Sequence, residues 1–353
     1  MTDFRSDNSC PPSPELLDAL APVLRQGHSP YAADEITKRV EGRFCEVFDR
    51  DLRFFPLFSG TAANALALTQ LAPRFAEVIC HRDSHINLDE CGAVEFQSGA
   101  RLLPIGARDG RISPDDLPPL HDSQDPHRMR PAVLSLSQCT ELGTAYRAAD
   151  IRALTGPARA AGLGVHMDGT RFANALATTG STPADLSWRA GVDILCLGAT
   201  KSGAPGAEAV LIFNPDQAAG FDRLMKRAGH LASRLWFLSA QIEAWLENDL
   251  WLRLAAHSNA MASQLAGLMR TAGHSPLYPV EANMLFFAAS AGQSEALNQA
   301  GFAHYLIARS DGQTAIRLVT SHATTGADIE RLAAVLPGIL GQSDKVSQTA
   351  AAI

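Results

Sequence analysis

The sequence predicts an α/β protein in which a mostly parallel sheet is followed by a smaller α+β domain. Short apolar runs, among them EVIC, AVLSLSQ, GVHMD and VDILCLG, alternate with helical segments as far as Phe213, which is the pattern of a parallel sheet with helices on both faces. Residues 216–270 are then almost wholly helical in character, and from about 276 shorter strands alternate with helices. Because 353 residues suit two domains, we expect a large domain over 1–255 and a small one over 256–353.

Composition and charge exclude several classes of protein. The chain is 46% hydrophobic and 19% charged with a net charge of −7, and no basic tract offers a site for nucleic acid or anionic lipid. No apolar run reaches the roughly 20 residues that span a bilayer, and the polar N-terminus lacks the core of a signal peptide. The six cysteines form no CxxC pair, so we expect a reduced, cytoplasmic protein. Neither histidine nor cysteine shows ligand spacing, and no metal site is predicted.

The first part of the chain begins with an extended arm over residues 1–12. The Ser-Pro pair at 13–14 predicts the start of a helix. A second helix is expected from Asp34 (ADEITKRVEGRFCEVFD), and the strand LRFFPLF follows it. The tripeptide SGT at 59–61 interrupts this run, and strong helix formers continue in AANALALTQLA.

The rest of the chain continues the alternation. The strand EVIC is followed by a loop that carries His85, by a strand near RLLPI, and by a helix that begins at the Ser-Pro pair 113–114. After a polar surface loop over 121–131 come the strand AVLSLSQ, the helix RAADIRALTGPARAAG and the strand GVHMD. In the small domain we expect the strands LYPV, MLFFAA and IRLVTS, with disorder over about the last ten residues.

Two side chains follow neighbouring buried runs and point to covalent chemistry. Asp168 ends GVHMD, and Lys201 comes directly after ILCLGAT. Open α/β sheets bind ligands at the carboxyl ends of their strands, and a partly desolvated lysine there favours the neutral, nucleophilic amine. A lysine that attacks an aldehyde, with a carboxylate to hold a pyridinium nitrogen, describes a pyridoxal phosphate site. The alternatives are a turn aspartate that caps a helix and a solvated surface lysine.

The turn formed by Ser59, Gly60 and Thr61 is a candidate for phosphate binding. It lies between a predicted strand and a predicted helix, where free backbone N–H groups and the helix dipole attract anions. An ordinary capped turn has the same appearance. The KS of Lys201 is not the end of a Walker A loop, because Thr200 stands where that motif requires glycine.

Three further side chains are candidates for the site. His85 could stack on an aromatic cofactor or act as a base, although a structural, hydrogen-bonded histidine is the simpler interpretation. Arg171 and Arg317 could each hold a substrate carboxylate through two hydrogen bonds. The alternative for each arginine is a surface ion pair.

Together, and in this order, these residues resemble the threonine aldolase family of fold-type I pyridoxal phosphate enzymes. The resemblance covers nearly the whole chain through the segments FRSDN, YAADE, SGTAAN, SHINLDECGAVEF, SQCTELGTAYR, HMDGTRFANA, GATKSG and IRLVTSHATT. It implies an aspartate-aminotransferase-like large domain with a seven-stranded type of sheet. It also implies that pyridoxal 5'-phosphate forms a Schiff base with Lys201, that Asp168 holds the pyridine nitrogen and that His85 stacks on the ring.

The resemblance assigns roles to further residues. Gly60 and Thr61, with the neighbouring Ser59, would hold the phosphate. The groups that would hold the substrate carboxylate are Ser6, Arg171 and Arg317, with Tyr31 nearby. Family members are dimers or tetramers with shared sites, and the residues that would reach a neighbouring subunit are Tyr31, Lys226 and Arg234.

Two departures from the family pattern bear on the chemistry. Thr170 gives DGTR where the family usually has DGAR, and SQCTELG stands where many members carry a second active-site histidine. As in the low-specificity branch, that histidine is missing, which leaves the proton acceptor for the substrate hydroxyl unassigned. His85, acting directly or through a water, is the best candidate, with Glu90 or Glu141 as helpers.

The resemblance implies a lyase that reversibly cleaves L-threonine, L-allo-threonine and related β-hydroxy-α-amino acids to glycine and an aldehyde. Another fold-type I activity, such as a β-eliminating lyase or an aminotransferase, would show similar cofactor residues and stays open. A non-catalytic pyridoxal phosphate-binding protein is a third alternative, against which the retention of both arginines argues.

Overall fold

The computed structural model of the chain describes residues 1–106, 109–120, 125–309 and 311–341. Its strands are β1 (Thr2–Asp3), β2 (Arg53–Leu57), β3 (Ala76–His81), β4 (Arg101–Ile105), β5 (Arg130–Ser137), β6 (Gly164–Gly169), β7 (Ile194–Gly198), β8 (Glu208–Ile212), β9 (Met284–Ala288), β10 (Phe302–Ala303), β11 (Tyr305–Ala308) and β12 (Thr314–Val319). Its helices are α1 (Pro14–Val23), α2 (Glu35–Phe48), α3 (Gly60–Leu71), α4 (His85–Leu88), α5 (Ala93–Ser98), α6 (Ala148–Ala160), α7 (Phe172–Thr179), α8 (Phe221–Arg227), α9 (Trp236–Leu246), α10 (Leu250–Thr271), α11 (Ala291–Gln299) and α12 (Gly326–Leu340).

The larger sheet confirms the predicted mostly parallel arrangement. It has seven strands in the order β2-β8-β7-β6-β5-β3-β4. Among these described strands only β8 runs antiparallel to its neighbours, β2 and β7. Every residue of β7 is buried, and so is every residue of β6 after Gly164. This burial explains why the two strands are continuous apolar runs in the sequence, without alternation of apolar and polar residues.

The helix boundaries follow from local capping. Asp34 accepts a hydrogen bond from the backbone N–H of Thr37 at 2.8 Å and so caps α2 where the sequence predicts its start. Ser59 caps α3 in the same way through the N–H of Ala62, at 3.3 Å. At the C-terminal end of the chain, Thr325 and Asp328 form a reciprocal capping box that begins α12.

A smaller antiparallel sheet in the order β11-β12-β9 lies in the C-terminal part of the chain. It shares an apolar core with α10, α11 and α12, in which Leu265, Phe287, Leu318 and Leu332 are buried together with Phe4 of the N-terminal arm. The expected boundary between the large and the small domain, at 255/256, falls within α10. The division of the chain into these two domains stays a prediction.

The N-terminal arm over residues 1–12 is extended except for a 3-10 turn at Asp7–Ser9, and it is bound to the C-terminal part of the chain. Strand β1 pairs in parallel with β10. Phe4 donates its backbone N–H to Ala303 O and accepts a hydrogen bond from the N–H of Val319, both at 2.8 Å. The residues that follow the arm are therefore held close to β12.

The structure corrects several expected elements. LYPV at 277–280 is not a strand, since Leu277 makes a single backbone hydrogen bond to Phe286 and Pro279 has no N–H to continue a ladder. The helix expected from 113–114 is one 3-10 turn, Pro114–Asp116, because two prolines follow at 118 and 119. His85 does not lie in a loop but begins the one-turn helix α4.

The short strands β10 and β11 were not predicted, because two to four residues are too few to show a period. The first four residues of the expected 121–131 loop and the C-terminal residues expected to be disordered lie outside the described ranges. None of the helices in the described ranges combines the length and the apolar character that a bilayer crossing requires.

Candidate active site

The candidate site lies where β6 and β7 end and β8 begins. In the sheet register Asp168 pairs with Cys196, and Gly198 pairs with Glu208. Because β8 runs opposite to its neighbours, its first residue lies at the same edge as their last residues. The sheet therefore brings Asp168, Glu208 and the turn after β7 to the same edge. For Asp168 this position at the end of a strand agrees with the sequence-based prediction.

Lys201 is half-buried in a 3-10 turn, Thr200–Ser202, that directly follows β7. Trp245 donates its indole N–H to Ser202 O at 3.0 Å, and the N–H of Ser13 bonds to Gly203 O at 2.9 Å. Both hydrogen bonds hold the C-terminal end of the turn, one from a side chain and one from the backbone. The position of Lys201 agrees with the prediction that it follows a buried strand.

Asp168 is buried and accepts three hydrogen bonds. Thr170 donates its hydroxyl at 2.7 Å and its backbone N–H at 3.1 Å, and Asn64 donates its amide at 2.9 Å. Burial opposes ionisation, but the hydrogen bonds from Thr170 and the charges of His85 and His166 leave the pKa of Asp168 below its usual value. The site therefore contains a buried carboxylate in its charged form.

His85 is joined to Asp168 through two further side chains. Its Nδ1 lies 2.8 Å from Oε1 of Glu90, and the amide nitrogen of Asn64 lies 2.9 Å from the same oxygen and 2.9 Å from Asp168. The hydrogen bond to Glu90 raises the pKa of His85, and burial raises the pKa of Glu90. The other ring nitrogen of His85 has no hydrogen bond to a described residue, so it is available to a ligand.

The turn at 59–61 has the geometry of an anion site. Ser59 caps α3, and the N–H groups of Gly60 and Thr61 are the first of the helix and have no carbonyl partner one turn earlier. A Cβ at Gly60 would lie 3.7 Å from the hydroxyl of Thr170, which places this turn beside the Asp168 cluster. The capped-turn interpretation is also correct, since both properties belong to the same helix start.

Arg171 is buried and engaged by a residue that the sequence analysis did not select. Its Nε and Nη2 donate to the two carboxylate oxygens of Asp7 at 2.8 and 3.0 Å, and Asn283 donates to Asp7 at 3.0 Å. Burial opposes the charge on Asp7, but the charges of Arg171 and Lys201 lower its pKa to about 2. A surface ion pair is therefore the wrong interpretation of Arg171, and of its donors only the Nη1 edge and one N–H of Nη2 are left.

Arg317 lies on β12 with its guanidinium close to that of Arg171. Its hydrogen bonds are long, at 3.5 Å to Arg5 O and to Met284 Sδ, and within the described ranges no carboxylate pairs with it. Burial, followed by the charge of Arg171, lowers the pKa of Arg317. The charges of Asp7 and Glu141 act on both guanidinium groups, but only Arg171 is hydrogen-bonded to a described carboxylate, so the donors of Arg317 can bind an anion.

Two further candidates, Ser6 and Glu141, are connected to the two arginines. The hydroxyl of Ser6 accepts a hydrogen bond from the N–H of Asn8 at 3.2 Å and precedes Asp7 in the arm. Glu141 acts by its charge on His85, Arg171 and Arg317. Ser6 is thus adjacent in sequence to Asp7, the carboxylate that holds Arg171, and Glu141 is near enough to His85 and to both arginines for its charge to act on them.

The residues expected to reach a neighbouring subunit form a cluster of their own. Nζ of Lys226 lies 4.9 Å from the ring centroid of Tyr31, and the N–H of Tyr31 bonds to the carbonyl of Ser233, next to Arg234. Tyr31 is 49% exposed. No hydrogen bond or ion pair between described residues joins this cluster to Lys201 of the same chain.

The sequence analysis missed Asp7, Asn64, Asn283 and Glu208 as members of the site. Asp7 and Asn64 stand inside the quoted segments FRSDN and SGTAAN, and Asn64 lies one helical turn beyond Gly60. Glu208 is an acid at the start of an apolar run, AEAVLIF, which was a usable signal.

The residues present fit pyridoxal phosphate. Its phosphate matches the free N–H groups at the start of α3, its protonated ring nitrogen matches the Asp168 carboxylate, and its aldehyde matches the amine of Lys201. Asn64 Oδ1 and Glu90 Oε2 are buried without a hydrogen-bond partner among the described residues, which is expected of atoms that face a polar ligand.

Comparison with known proteins agrees with this geometry. The family model of the beta-eliminating lyases matches residues 3–335. The low specificity L-threonine aldolase of Pseudomonas aeruginosa is 41% identical over 339 residues, which cover 94% of this chain and 96% of that protein. A protein of the same name from a Pseudomonas species is 39% identical over 347 residues, covering 96% and 99%. The solved structure of Leishmania major threonine aldolase superposes with a TM-score of 0.90 at 28% identity, over 96% of this chain and 100% of that one.

Fold and site thus define a fold-type I pyridoxal phosphate-dependent enzyme with the aspartate-aminotransferase-like architecture. The chain belongs to the threonine aldolase family, within the beta-eliminating lyases, and is a lyase.

Proposed function

We propose that the enzyme cleaves the Cα–Cβ bond of L-threonine, L-allo-threonine and related β-hydroxy-α-amino acids, and releases glycine and an aldehyde. The observation that carries this proposal is the charge arrangement of the site. A buried carboxylate, Asp168, lies on one side, and the guanidinium of Arg317, which has no carboxylate partner among the described residues, lies on the other with Arg171. A cationic ring nitrogen and an anionic α-carboxylate would satisfy both.

The cofactor-binding residues in this proposal are Lys201, Asp168, His85 and the turn Ser59-Gly60-Thr61. Pyridoxal phosphate, when bound, supplies the electron sink that stabilises the carbanion left at Cα. Asp168 keeps the ring nitrogen protonated, since its own pKa is low enough for it to stay charged. Lys201 is the residue whose Nζ would hold the cofactor through its aldehyde group.

The substrate would be oriented by its carboxylate. Arg317 and the Nη1 edge of Arg171 provide charge-assisted hydrogen bonds, and Ser6 provides a hydroxyl next to them. Fixing the carboxylate sets the direction of the Cα–Cβ bond relative to the cofactor ring, which decides the bond that breaks. Arg171 is itself held by Asp7, so its orientation does not depend on substrate.

His85 would accept the proton of the β-hydroxyl group, directly or through a water. Its hydrogen bond to Glu90 leaves its second ring nitrogen for this role and stabilises the positive charge that the ring then carries. Glu141 adds a second carboxylate near the same histidine. After the aldehyde has left, Cα would take up one proton to give glycine, which balances the proton removed from the β-hydroxyl group.

We also infer a homodimer or a dimer of dimers with shared sites, in which Tyr31, Lys226 and Arg234 contribute to the site of the neighbouring subunit. Their exposure and their separation from Lys201 in the same chain support this assignment. The homotetramer is the larger of the two assemblies we expect. We further propose a cytoplasmic location, with which the six free cysteines agree.

The first experiment is the visible spectrum of the purified protein with pyridoxal phosphate, before and after addition of L-threonine, with an aldehyde assay on the same sample. We expect an absorption band that Lys201→Ala abolishes and the exposed Lys38→Ala preserves, and aldehyde on addition of substrate. The band without aldehyde from any β-hydroxy amino acid, and with ammonia or a keto acid instead, would favour an eliminating lyase or an aminotransferase.

A further inference from the structure

Thr170 makes a side-chain hydrogen bond to Asp168 that the proposed mechanism does not use. Its hydroxyl donates to Oδ1 of Asp168 at 2.7 Å, and its backbone N–H donates to the same oxygen at 3.1 Å. The bond from the N–H closes a local turn that any residue except proline could form. The shorter bond requires a hydroxyl group, so it is the contribution of this particular side chain.

The hydrogen bonds to Asp168 leave one acceptor position for a ligand. An ionised carboxylate has about four lone-pair positions, shared equally by its two oxygens. The two donors of Thr170 occupy those of Oδ1, and the amide of Asn64 occupies one position of Oδ2 at 2.9 Å. No other donor in the described part of the chain is hydrogen-bonded to this carboxylate, so the second position of Oδ2 remains.

The backbone of Thr170 is held against the end of β7. A Cβ at Gly198 would lie 2.7 Å from the carbonyl oxygen of Thr170 and 2.9 Å from its Cα, which is too close for a side chain. Glycine at position 198 therefore allows the backbone of Thr170 to lie there. The hydroxyl of Thr170 in turn lies 3.7 Å from the position that a Cβ of Gly60 would take. Thr170 is thus close to Asp168, to the phosphate turn and to the strand that leads to Lys201.

The hydroxyl of Thr170 also favours the charge that Asp168 would need in order to bind a cation. Asp168 is 6% exposed, and burial opposes its ionisation. Among the groups that lower the pKa of Asp168, this hydroxyl has the largest effect, ahead of the N–H of Thr170 and the charges of His85 and His166. Geometry and charge therefore assign the same role to one side chain.

We propose that Thr170 is a positioning residue for the cofactor, whose hydroxyl occupies Oδ1 of Asp168 and leaves Oδ2 of that carboxylate for the ring nitrogen. Without the hydroxyl, Oδ1 has an open acceptor position, and the carboxylate is less restricted about its Cβ–Cγ bond. A hydrogen bond to a charged group is one of the stronger kinds, so its loss is measurable. This inference rests on the proposed role of Asp168 as the partner of the ring nitrogen.

The test measures the dissociation constants of two ligands from the full-length protein, prepared free of cofactor. The ligands are pyridoxal phosphate and an analogue in which carbon replaces the ring nitrogen, and binding is followed by the quenching of tryptophan fluorescence. Since the analogue has no ring N–H, it cannot bond to Oδ2 of Asp168. We expect Thr170→Val to weaken the binding of pyridoxal phosphate about tenfold and that of the analogue less than about twofold.

Three further variants separate the hydroxyl group from the fold. Thr170→Ser keeps the hydroxyl and should restore the affinity of the parent for pyridoxal phosphate. Thr170→Ala removes the hydroxyl without adding a methyl group, and it provides the same test if Thr170→Val does not fold. Thr182→Val removes a hydroxyl that donates to Asp185 at the same distance of 2.7 Å, and it should leave both affinities unchanged.

The two ligands distinguish the ways in which the proposal can fail. Equal weakening of both ligands in the variants without the hydroxyl would overturn it and leave Thr170 a residue of the fold, as would an unchanged affinity for pyridoxal phosphate. A parent protein that binds both ligands equally would refute the role of Asp168, and the proposal with it. A parent protein that binds no pyridoxal phosphate would refute the proposed function itself.

Discussion

Replacement of Asp7 by asparagine removes the carboxylate from the most buried ion pair among the described residues. We expect it to lower the stability of the protein in a pH-dependent way. The side chains of Arg171 and Asp7 are 4% and 1% exposed. Because the pKa of Asp7 falls from an ordinary 3.8 to about 2 on folding, its charge contributes about 2 kcal/mol to the free energy of unfolding at neutral pH. Leaving Arg171 buried without its partner adds to this, so we expect a loss of about 3 kcal/mol at pH 7.

The sign of the pH dependence follows from the direction of the shift. Since the folded-state pKa lies below that of the unfolded chain, the contribution of Asp7 is complete above about pH 4 and is lost as the pH falls towards 2. At pH 3 about half of it remains. The gap in unfolding free energy between parent and Asp7→Asn should therefore narrow by about 1 kcal/mol between pH 7 and pH 3.

Urea unfolding at both pH values, followed by tryptophan fluorescence and circular dichroism, measures this gap. The matched control is Asp3→Asn in the same arm, because Asp3 and Arg5 form an ion pair whose side chains are 28% and 49% exposed. Its removal should change the unfolding free energy by less than about 1 kcal/mol. Equal effects of the two substitutions, or a gap for Asp7→Asn that does not narrow in acid, would refute the reasoning.

Two other substitutions test the site. Arg317→Gln should lower kcat/KM about 30-fold or more, mainly through a higher KM for threonine. The melting temperature should stay equal or rise, because Arg317 is buried beside Arg171 and no carboxylate pairs with it in the described ranges. A clear drop in melting temperature would contradict this account. Glu90→Gln should move the acid limb of the pH–rate profile to lower pH. His85 must be neutral to accept a proton, and its hydrogen bond to Glu90 raises its pKa. An acid limb at the same pH in both proteins would exclude His85 as the base.

Local signals were sufficient to predict much of the site. The apolar runs that end at Asp168 and shortly before Lys201 are complete, buried strands, so the sequence was enough to predict that both side chains follow strands of the core. The cap at Ser59 similarly located the free N–H groups of α3. In each case the deciding interactions lie within a few residues of one another.

The missed features depend on contacts between distant positions. The partner of Arg171 lies 164 residues earlier in the chain, and no pattern around Asp7 shows which cation it will meet. LYPV resembles a strand in composition and lies at the free edge of β9, but Leu277 makes a single backbone hydrogen bond there and Pro279 has no N–H for a second one. Glu208 was hidden by the apolar residues around it, because a period-based interpretation treats a single charge as an interruption.

The attachment of the arm also has a consequence for how the enzyme matures during synthesis. Asp7 is made well before Asn283, since their hydrogen bond closes a separation of 276 positions, and β1 has no strand to pair with until β10 has been translated. A nascent chain can form the large sheet with Asp168 and Lys201 in place while Arg171 still lacks its carboxylate. The groups that would bind the substrate carboxylate are therefore completed last. An incomplete chain could bind the cofactor before it could orient an amino acid.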